Sequence, residues 1–243
     1  MNYQISKRKI LTITALLSFL SAGQTVAVQT EKLLDVQIFG FNVADLHLRW
    51  ETDKNRYRVS SFGRSKGLIN LFHKTQLFSY AEGEIMADGR LYPSLAKMSW
   101  ISGKKTNEIN IGYAKNIIEE FSLTLEDKKT KKGFNPLGIS DTVDPVSSLK
   151  WFMIDKDEKQ ICKGGIKIFD GIRLVTVSFN NLKKKQAQIV CNGIFLAEDR
   201  SKANTKQKRI KFQATYYQTA SRTYSISSVT YISFLGKTTI KIY

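Results

Sequence analysis

The sequence predicts a mainly β protein: a strongly curved antiparallel sheet forming an open barrel or spiral, with one or two short helices. Three observations predict this class. Apolar and polar residues alternate in many short segments, tyrosine and β-branched residues are frequent, and turn residues such as Asp88-Gly89 separate the segments. Alternation with a period of two gives each strand one buried and one wet face, as in antiparallel sheets.

The first 27 residues have the pattern of a secretory signal peptide. Residues 7–9 are basic, residues 10–20 are apolar, and Thr25-Val26-Ala27 supplies small residues for cleavage. The apolar run is shorter than the roughly 20 residues that a membrane-spanning helix needs. We therefore expect cleavage near Ala27 and a periplasmic protein, in which residues 28–243 form a single β-rich domain with a sub-boundary near 128–136.

Strands are predicted in both halves of the chain by the same alternation. A strand ending near Phe62 and one ending near Phe169 are also expected, the first followed by Gly63 and the second by Asp170-Gly171. The alternating apolar positions are Leu46, Leu48 and Trp50; Val175, Val177 and Phe179; Ile210, Phe212, Ala214 and Tyr216; and Ile240 and Ile242.

One short helix is predicted over residues 144–155. Asp144 suits the N-cap, Pro145 suits the first turn, and apolar residues follow at helical spacing. We expect this helix to plug or flank the concave side of the sheet. There Trp151, Phe152 and Met153 either line a cavity or pack in the core. A weaker helix is predicted over residues 114–121.

Cys162 and Cys191 are the only cysteines. An even cysteine count in an exported chain predicts one disulfide bond. The two residues lack the Cys-x-x-Cys spacing of redox-active pairs, and with two distant histidines they do not suggest a metal site. We expect neither a bound metal nor a cofactor.

The chain is strongly basic, with a formal net charge of +17. Export argues against nucleic acid as a partner, whereas an anionic membrane surface, an acidic partner or a merely solvated surface all remain compatible. The densest basic stretch is a candidate contact with an anionic surface. It contains Arg200, Lys202, Lys206, Lys208, Arg209 and Lys211.

One segment matches a catalytic motif and another forms a compact polar constellation. Gly63-Arg64-Ser65-Lys66-Gly67 fits the Gly-x-Ser-x-Gly string of hydrolases, but His73 is the only later histidine and no acid precedes it suitably. We interpret the string as a hairpin turn permitted by its glycines and predict no enzyme. Asp170 and Gly171, followed by Arg173, suit a tight turn, or alternatively a contact with a polar ligand.

The order of several short motifs resembles that of a bacterial protein family. Phe39-Gly40, Tyr57-Arg58-Val59, Gly89-Arg90-Leu91-Tyr92-Pro93, Asp144-Pro145-Val146 and Phe169-Asp170-Gly171 occur in sequence. The whole is similar to the exported domain-of-unknown-function 3108 family of Gram-negative bacteria. The resemblance implies a periplasmic, strand-rich protein without an established activity or catalytic residues. The charged residues 128–132 and the high lysine content depart from it.

Two functions follow as hypotheses. The first is a non-enzymatic protein that binds a lipid, lipoprotein or other apolar envelope component in its curved sheet. The alternative is a structural or interaction protein that docks to an anionic membrane or an acidic partner through its basic surface. A hydrolase is a distant third. The sequence does not identify the ligand, the oligomeric state or any regulation.

Overall fold

The computed structural model describes residues 28–72, 74–126, 135–185, 188–199 and 207–243. In these residues thirteen β-strands form one antiparallel sheet. The predicted fold class is confirmed: the sheet is curved, and it is not closed into a barrel. The predicted signal peptide and the charged residues 128–132 lie outside the described residues, so both stay predictions.

The first half of the chain supplies seven strands and a short helix. They are β1 (Val28–Ile38), β2 (Phe41–Asp53), β3 (Arg56–Ser65), α1 (Gly67–Phe72), β4 (Thr75–Ile85), β5 (Leu91–Ser102), β6 (Lys105–Ala114) and β7 (Ile117–Thr124).

The second half supplies a helix and six strands. They are α2 (Pro145–Met153), β8 (Gly165–Phe169), β9 (Arg173–Lys185), β10 (Gln188–Asp199), β11 (Lys208–Gln218), β12 (Tyr224–Ser233) and β13 (Gly236–Ile242). Neither α1 nor α2, the helices in the described part of the chain, is long enough to cross a bilayer.

Strands β1 and β13 lie side by side in the middle of the sheet. Strands β1 to β7 run outward in order to one edge, and the chain then crosses to β8 at the opposite edge. Strands β8 to β13 return to the centre, where β13 pairs with β1 through Leu34–Ile242 and four further residue pairs. Every other neighbouring pair of strands is consecutive in sequence, so only the central pair joins the two halves by sheet hydrogen bonds.

The inner face of the sheet carries the core. Trp50, Val59, Ala81, Ala96 and Ile111 are paired in one row across β2 to β6, and all five are buried. The alternation in sequence produces this row because every second side chain of a strand points to the same face. The small alanines leave room for α2 to approach the sheet.

Helix α2 occupies the concave side, as predicted. It contacts β3, β4 and β5 of the first half and β8 and β12 of the second. Its N-cap is Asp144, whose carboxylate accepts the backbone N–H of Ser147 at 2.9 Å. Val146, Phe152 and Met153 are buried on its apolar side. The helix ends at Met153, two residues before the predicted end.

The segment between β7 and α2 shields both edges of the sheet. Ile118 of β7 donates its N–H to the Ile139 carbonyl, and Phe169 of β8 donates to the Val143 carbonyl, both at 2.9 Å. The rings of Phe121 and Phe169 also face each other, with centroids 6.0 Å apart. Covering the edges in this way removes backbone groups that would otherwise template association with other chains.

The predicted helix over residues 114–121 is wrong. Ala114 ends β6, and β7 begins at Ile117. Between them, Lys115 and Asn116 have φ values of 51° and 63°. Positive φ at both central residues makes a tight hairpin turn, which a helix cannot contain. The apolar residues that suggested helical spacing instead belong to a strand.

Candidate functional site

A broad depression lies on the outer face of β1 to β6. We call it the outer trough; its volume is about 820 Å³. It is formed by two neighbouring rows of side chains that run across the strands. The first row is Leu33, His47, Phe62, Phe78, Ser99 and Glu108, and the second is Glu31, Arg49, Ser60, Tyr80, Lys97 and Asn110.

The first row gives the trough an aromatic floor. The rings of Phe62 and Phe78 pack against each other with centroids 5.0 Å apart. Phe78 is 45% exposed, which is high for a phenylalanine within a strand. Leu33 lies in the same row on β1, three strand spacings or about 14 Å from Phe78. The floor is therefore an elongated strip open to solvent, in which His47 separates Leu33 from the two phenylalanine rings.

The second row places two cations beside this strip. Arg49 is engaged, because its guanidinium contacts Gln29 at 2.7 Å and Glu31 at 3.7 Å. Lys97 is exposed and forms no ion pair within the described ranges. The trough thus combines a largely apolar strip with the unpaired Lys97, while its carboxylates are Glu31, which pairs with Arg49, and Glu108 at the far end of the first row.

A second unusual region is a buried polar cluster at the start of α2. The Tyr57 hydroxyl lies 2.9 Å from the Ser147 hydroxyl. Three buried oxygens nearby, namely the Tyr113 hydroxyl, Thr142 Oγ1 and Asp144 Oδ2, have no well-aligned hydrogen bond among the described residues, although Thr142 is close enough to Tyr113 to lower its pKa slightly against the effect of burial. Burial and the Asp144 carboxylate together raise the pKa values of Tyr57 and Tyr113. The cluster is enclosed by core residues, so it offers little access to a substrate.

Asp144 itself has an unusual pKa. Burial raises the pKa of its carboxyl from 3.8 to about 6, although the hydrogen bonds from the Ser147 side chain and backbone act in the opposite direction. The native state therefore binds a proton more tightly than the unfolded chain between about pH 4 and pH 6. The contribution of Asp144 to stability is largest below this interval and falls by about 2–3 kcal/mol as the pH rises through it.

We expect Asp144→Asn to remove this pH dependence. Asparagine keeps a side-chain oxygen for the Ser147 N–H and carries no charge, so helix capping is retained. Urea unfolding at pH 4 and pH 7 should show similar stabilities for the variant, which gains about 2 kcal/mol at pH 7. Asp157→Asn, an exposed change after α2, is the control and should behave as the wild type. A variant with the wild-type slope would contradict the assignment.

Two lysines near α2 are partly or wholly removed from water. Lys150 is 2% exposed, and its ammonium lies 5.7 Å from the centroid of the Tyr57 ring. Burial lowers its pKa to about 8. Lys156 lies 4.1 Å from the Trp151 ring centroid and donates to the Trp151 carbonyl at 3.3 Å, and burial also lowers its pKa to about 8.

The structure places Asp170, Gly171 and Arg173 in the turn between β8 and β9. The Asp170 carboxylate accepts the backbone N–H of Ile172 at 3.0 Å and that of Arg173 at 2.7 Å. The Arg173 guanidinium also contacts it at 2.7 Å. Gly171 has φ 93°, and a side chain there would meet Ile109 of β6 at 2.6 Å. These contacts give each of the three residues a structural role in the turn, so no ligand is needed to explain them.

The predicted disulfide is present between Cys162 and Cys191, whose Cα atoms are 5.2 Å apart. Cys191 lies on β10 and is fully buried. Cys162 lies in the connection between α2 and β8, rather than in the strand before the Asp170 turn. The bond therefore fastens the connection that follows the helix to the inner side of the sheet.

The other predicted site residues fall in two places. Phe152 and Met153 are in the core, whereas Trp151 is half-buried and lines a pocket of about 430 Å³ with residues of β8 and β9. Arg200, Lys202 and Lys206 lie outside the described residues. The remaining three, Lys208, Arg209 and Lys211, are exposed at the start of β11.

Ser65 of the hydrolase-like string has a local structural role. Its hydroxyl accepts the Thr75 N–H at 2.9 Å and lies 3.0 Å from Asn70 Oδ1, which fixes the two ends of the α1 excursion. Arg64 and Lys66 on either side bind the Asp45 carboxylate at 3.2 and 2.5 Å. His73 lies outside the described residues. The string is thus a strand-to-helix turn rather than the predicted hairpin turn.

Sequence reasoning missed the outer trough. One signal was available in the sequence. Phe62 and Phe78 stand at the outward-facing positions of their strands, where the alternating pattern predicts polar residues. Their pairing across β3 and β4 needs the strand register, which the alternation alone does not supply.

In the part of the chain that the structure describes, no group of three or more histidine, cysteine, aspartate or glutamate residues is arranged to hold a metal ion. Comparison of the chain with protein-family models, curated proteins and solved structures finds no match. The resemblance to the domain-of-unknown-function 3108 family therefore stays a prediction.

Proposed function

We propose that the protein is a non-enzymatic component of the cell envelope that binds an anionic acyl amphiphile, such as a fatty acid or single-chain lipid, in the outer trough. The observation that carries this proposal is the exposed aromatic strip of the trough beside the unpaired Lys97. Ligand sites typically combine a mostly apolar surface with a few polar groups that fix orientation.

The dimensions and charges of the trough support this class of ligand. A volume of about 820 Å³ is within the usual range of small-molecule sites. An acyl chain laid along the first row would contact Leu33, pass over His47, and then contact the Phe62 and Phe78 rings. Its acidic head would then lie next to the second row, within reach of Lys97. An acyl ligand without an acidic head group would leave Lys97 without an ion-pair partner.

The interior of the sheet is a poorer candidate for the ligand. Helix α2 and the core residues fill its concave side, where the sequence had suggested a cavity. The ligand site is therefore placed on the outer face of the sheet, opposite the face that α2 covers. An envelope location fits the disulfide, because disulfides persist in oxidising compartments.

Binding of a dansyl-labelled fatty acid tests the proposal. We expect saturable binding that Phe78→Ser weakens about tenfold, since the exposed ring loses its contact with the chain. Lys97→Gln should weaken binding of the free fatty acid about threefold and leave binding of its methyl ester unchanged. The matched control is Tyr217→Ser, which removes a 41%-exposed aromatic ring from β11. Equal binding by Phe78→Ser and wild type would refute a site in the trough.

A further inference from the structure

We propose that a second surface, separate from the trough, docks the protein onto an anionic lipid bilayer. We call it the aromatic tip. It consists of side chains in and beside two turns: the β1–β2 turn and the β12–β13 turn. Its members are Phe39, Phe41, Ile232, Phe234 and Leu235.

The aromatic tip is unusually exposed for its composition. Phe234 is 86% exposed, Phe41 75%, Phe39 68% and Ile232 67%. Single exposed apolar residues are common on protein surfaces, but a contiguous group of large ones marks an interaction site.

The two turns form one surface because β1 and β13 pair in the middle of the sheet. Phe39 donates its N–H to the Lys237 carbonyl at 2.9 Å, which joins the first turn to β13. The Phe39 ring lies directly against Gly236, where an added Cβ would be 2.0 Å from it. The Ser233 hydroxyl braces the second turn by accepting the Leu235 N–H at 3.1 Å. The tip is therefore held in place rather than loosely attached.

The first turn has a residue that its backbone disfavours. Phe39 and Gly40 are the two central residues, with φ values of 51° and 88°. Such turns favour asparagine or aspartate followed by glycine, and a bulky side chain at positive φ is strained. The strain at Phe39 is not offset by burial, since the ring is largely exposed. Strained residues that persist without such a gain often have a functional role.

Cations surround the aromatic tip. On one side of Ile232, Lys237 of β13 is its cross-strand partner. On the other side lies Lys211 of β11, because the neighbouring residues Phe212 and Tyr231 are paired. Lys208 and Arg209 lie at the same end of β11. The carboxylates on these neighbouring strands are Asp35 of β1, which is paired with Lys241 of β13, and Glu198 and Asp199 at the end of β10, so cations outnumber acids at this corner.

An apolar centre ringed by cations matches an anionic bilayer better than a second copy of the chain. Two copies meeting tip to tip would bring their lysines together, and like charges would repel. A bilayer accepts the aromatic side chains among its acyl chains while its phosphate groups attract the lysines. A bilayer thus provides partners for both the apolar side chains and the surrounding cations.

Co-sedimentation with vesicles tests the docking. On vesicles of phosphatidylglycerol and phosphatidylcholine, we expect Phe41→Ser/Phe234→Ser to reduce affinity about 30-fold, because two rings no longer enter the bilayer. The control is Tyr243→Ser, which removes a 61%-exposed aromatic ring at the opposite end of β13. It should bind as the wild type does.

The same co-sedimentation assay tests the contribution of the lysines. Lys211→Gln/Lys237→Gln should weaken binding to the anionic vesicles about tenfold, and added salt should remove this difference. Lys159→Gln/Lys163→Gln, two exposed changes between α2 and β8, is the control and should have no effect. Equal loss from both lysine pairs would overturn a role for this particular corner.

A local probe shows whether the tip itself enters the bilayer. The wild type already has three tryptophans, so the signal of interest is the difference between Phe234→Trp and the wild type. On anionic vesicles this difference emission should shift to shorter wavelength and be quenched by brominated acyl chains. Unchanged emission on sedimented vesicles would overturn the proposal. So would a finding, by light scattering, that Phe41→Ser/Phe234→Ser converts a dimer to a monomer, because the tip would then be a contact between copies.

Discussion

Removal of the Cys162–Cys191 disulfide is expected to lower the free energy of unfolding by about 3–4 kcal/mol. The bond closes a loop with a sequence separation of 29 residues, and this loop is free to expand in the unfolded chain once the bond is absent. A loss of this size is a large part of the 5–15 kcal/mol that is typical of native proteins. Urea unfolding of Cys162→Ser/Cys191→Ala measures it, with alanine chosen because Cys191 is fully buried.

The bond acts on a connection that is also held by paired backbone hydrogen bonds between Lys156 and Tyr224 and by an ion pair between Glu158 and Lys184. Residues 154–164 connect α2 to β8, and Ile161 is the main core residue among them. Without the disulfide, we expect faster amide hydrogen exchange in this connection and at the C-terminal end of α2, and little change in β2 to β6. The wild-type chain, reduced and alkylated, is the matched control for the substitutions. A loss of less than 1 kcal/mol in both samples would contradict a structural role for the bond.

Local patterns predicted the strands and the main helix, but not the way in which the strands meet. The alternation around Trp50 and Phe212 and the Asp144-Pro145 start of α2 depend on neighbouring residues, so the sequence carries them directly. The pairing of β1 with β13 depends on contacts between the two ends of the chain. No local pattern specifies such a pairing, because any apolar strand face could satisfy another.

The candidate sites depend on this long-range pairing. Phe39 and Phe234 each look like an isolated turn residue in the sequence, and only the central strand pair makes them neighbours. The basic stretch was recognised from its composition, and its described members, including Lys211, lie beside the tip. The turn at Asp170 was recognisable because all its hydrogen bonds are local.

Replacing Lys150 with methionine is expected to stabilise the protein at pH 7 by about 3 kcal/mol. Lys150 is buried, and the structure gives its ammonium no carboxylate partner in the described residues, only the face of the Tyr57 ring. Its pKa is lowered to about 8, so at pH 7 the native state still carries a charge that burial disfavours. Methionine fills a similar volume without the charge.

The pH dependence distinguishes this explanation from better packing. Because the pKa of Lys150 is lower in the folded protein than in the unfolded chain, the unfolded state binds the extra proton between about pH 8 and pH 10.5. Wild-type stability should therefore rise through this interval, and the advantage of Lys150→Met should shrink from about 3 kcal/mol to near zero. Urea unfolding at pH 7, 9 and 10.5 measures both. Lys163→Met, an exposed change, should give no gain at any pH; an advantage for Lys150→Met that is constant with pH would show that packing, and not the buried charge, is responsible.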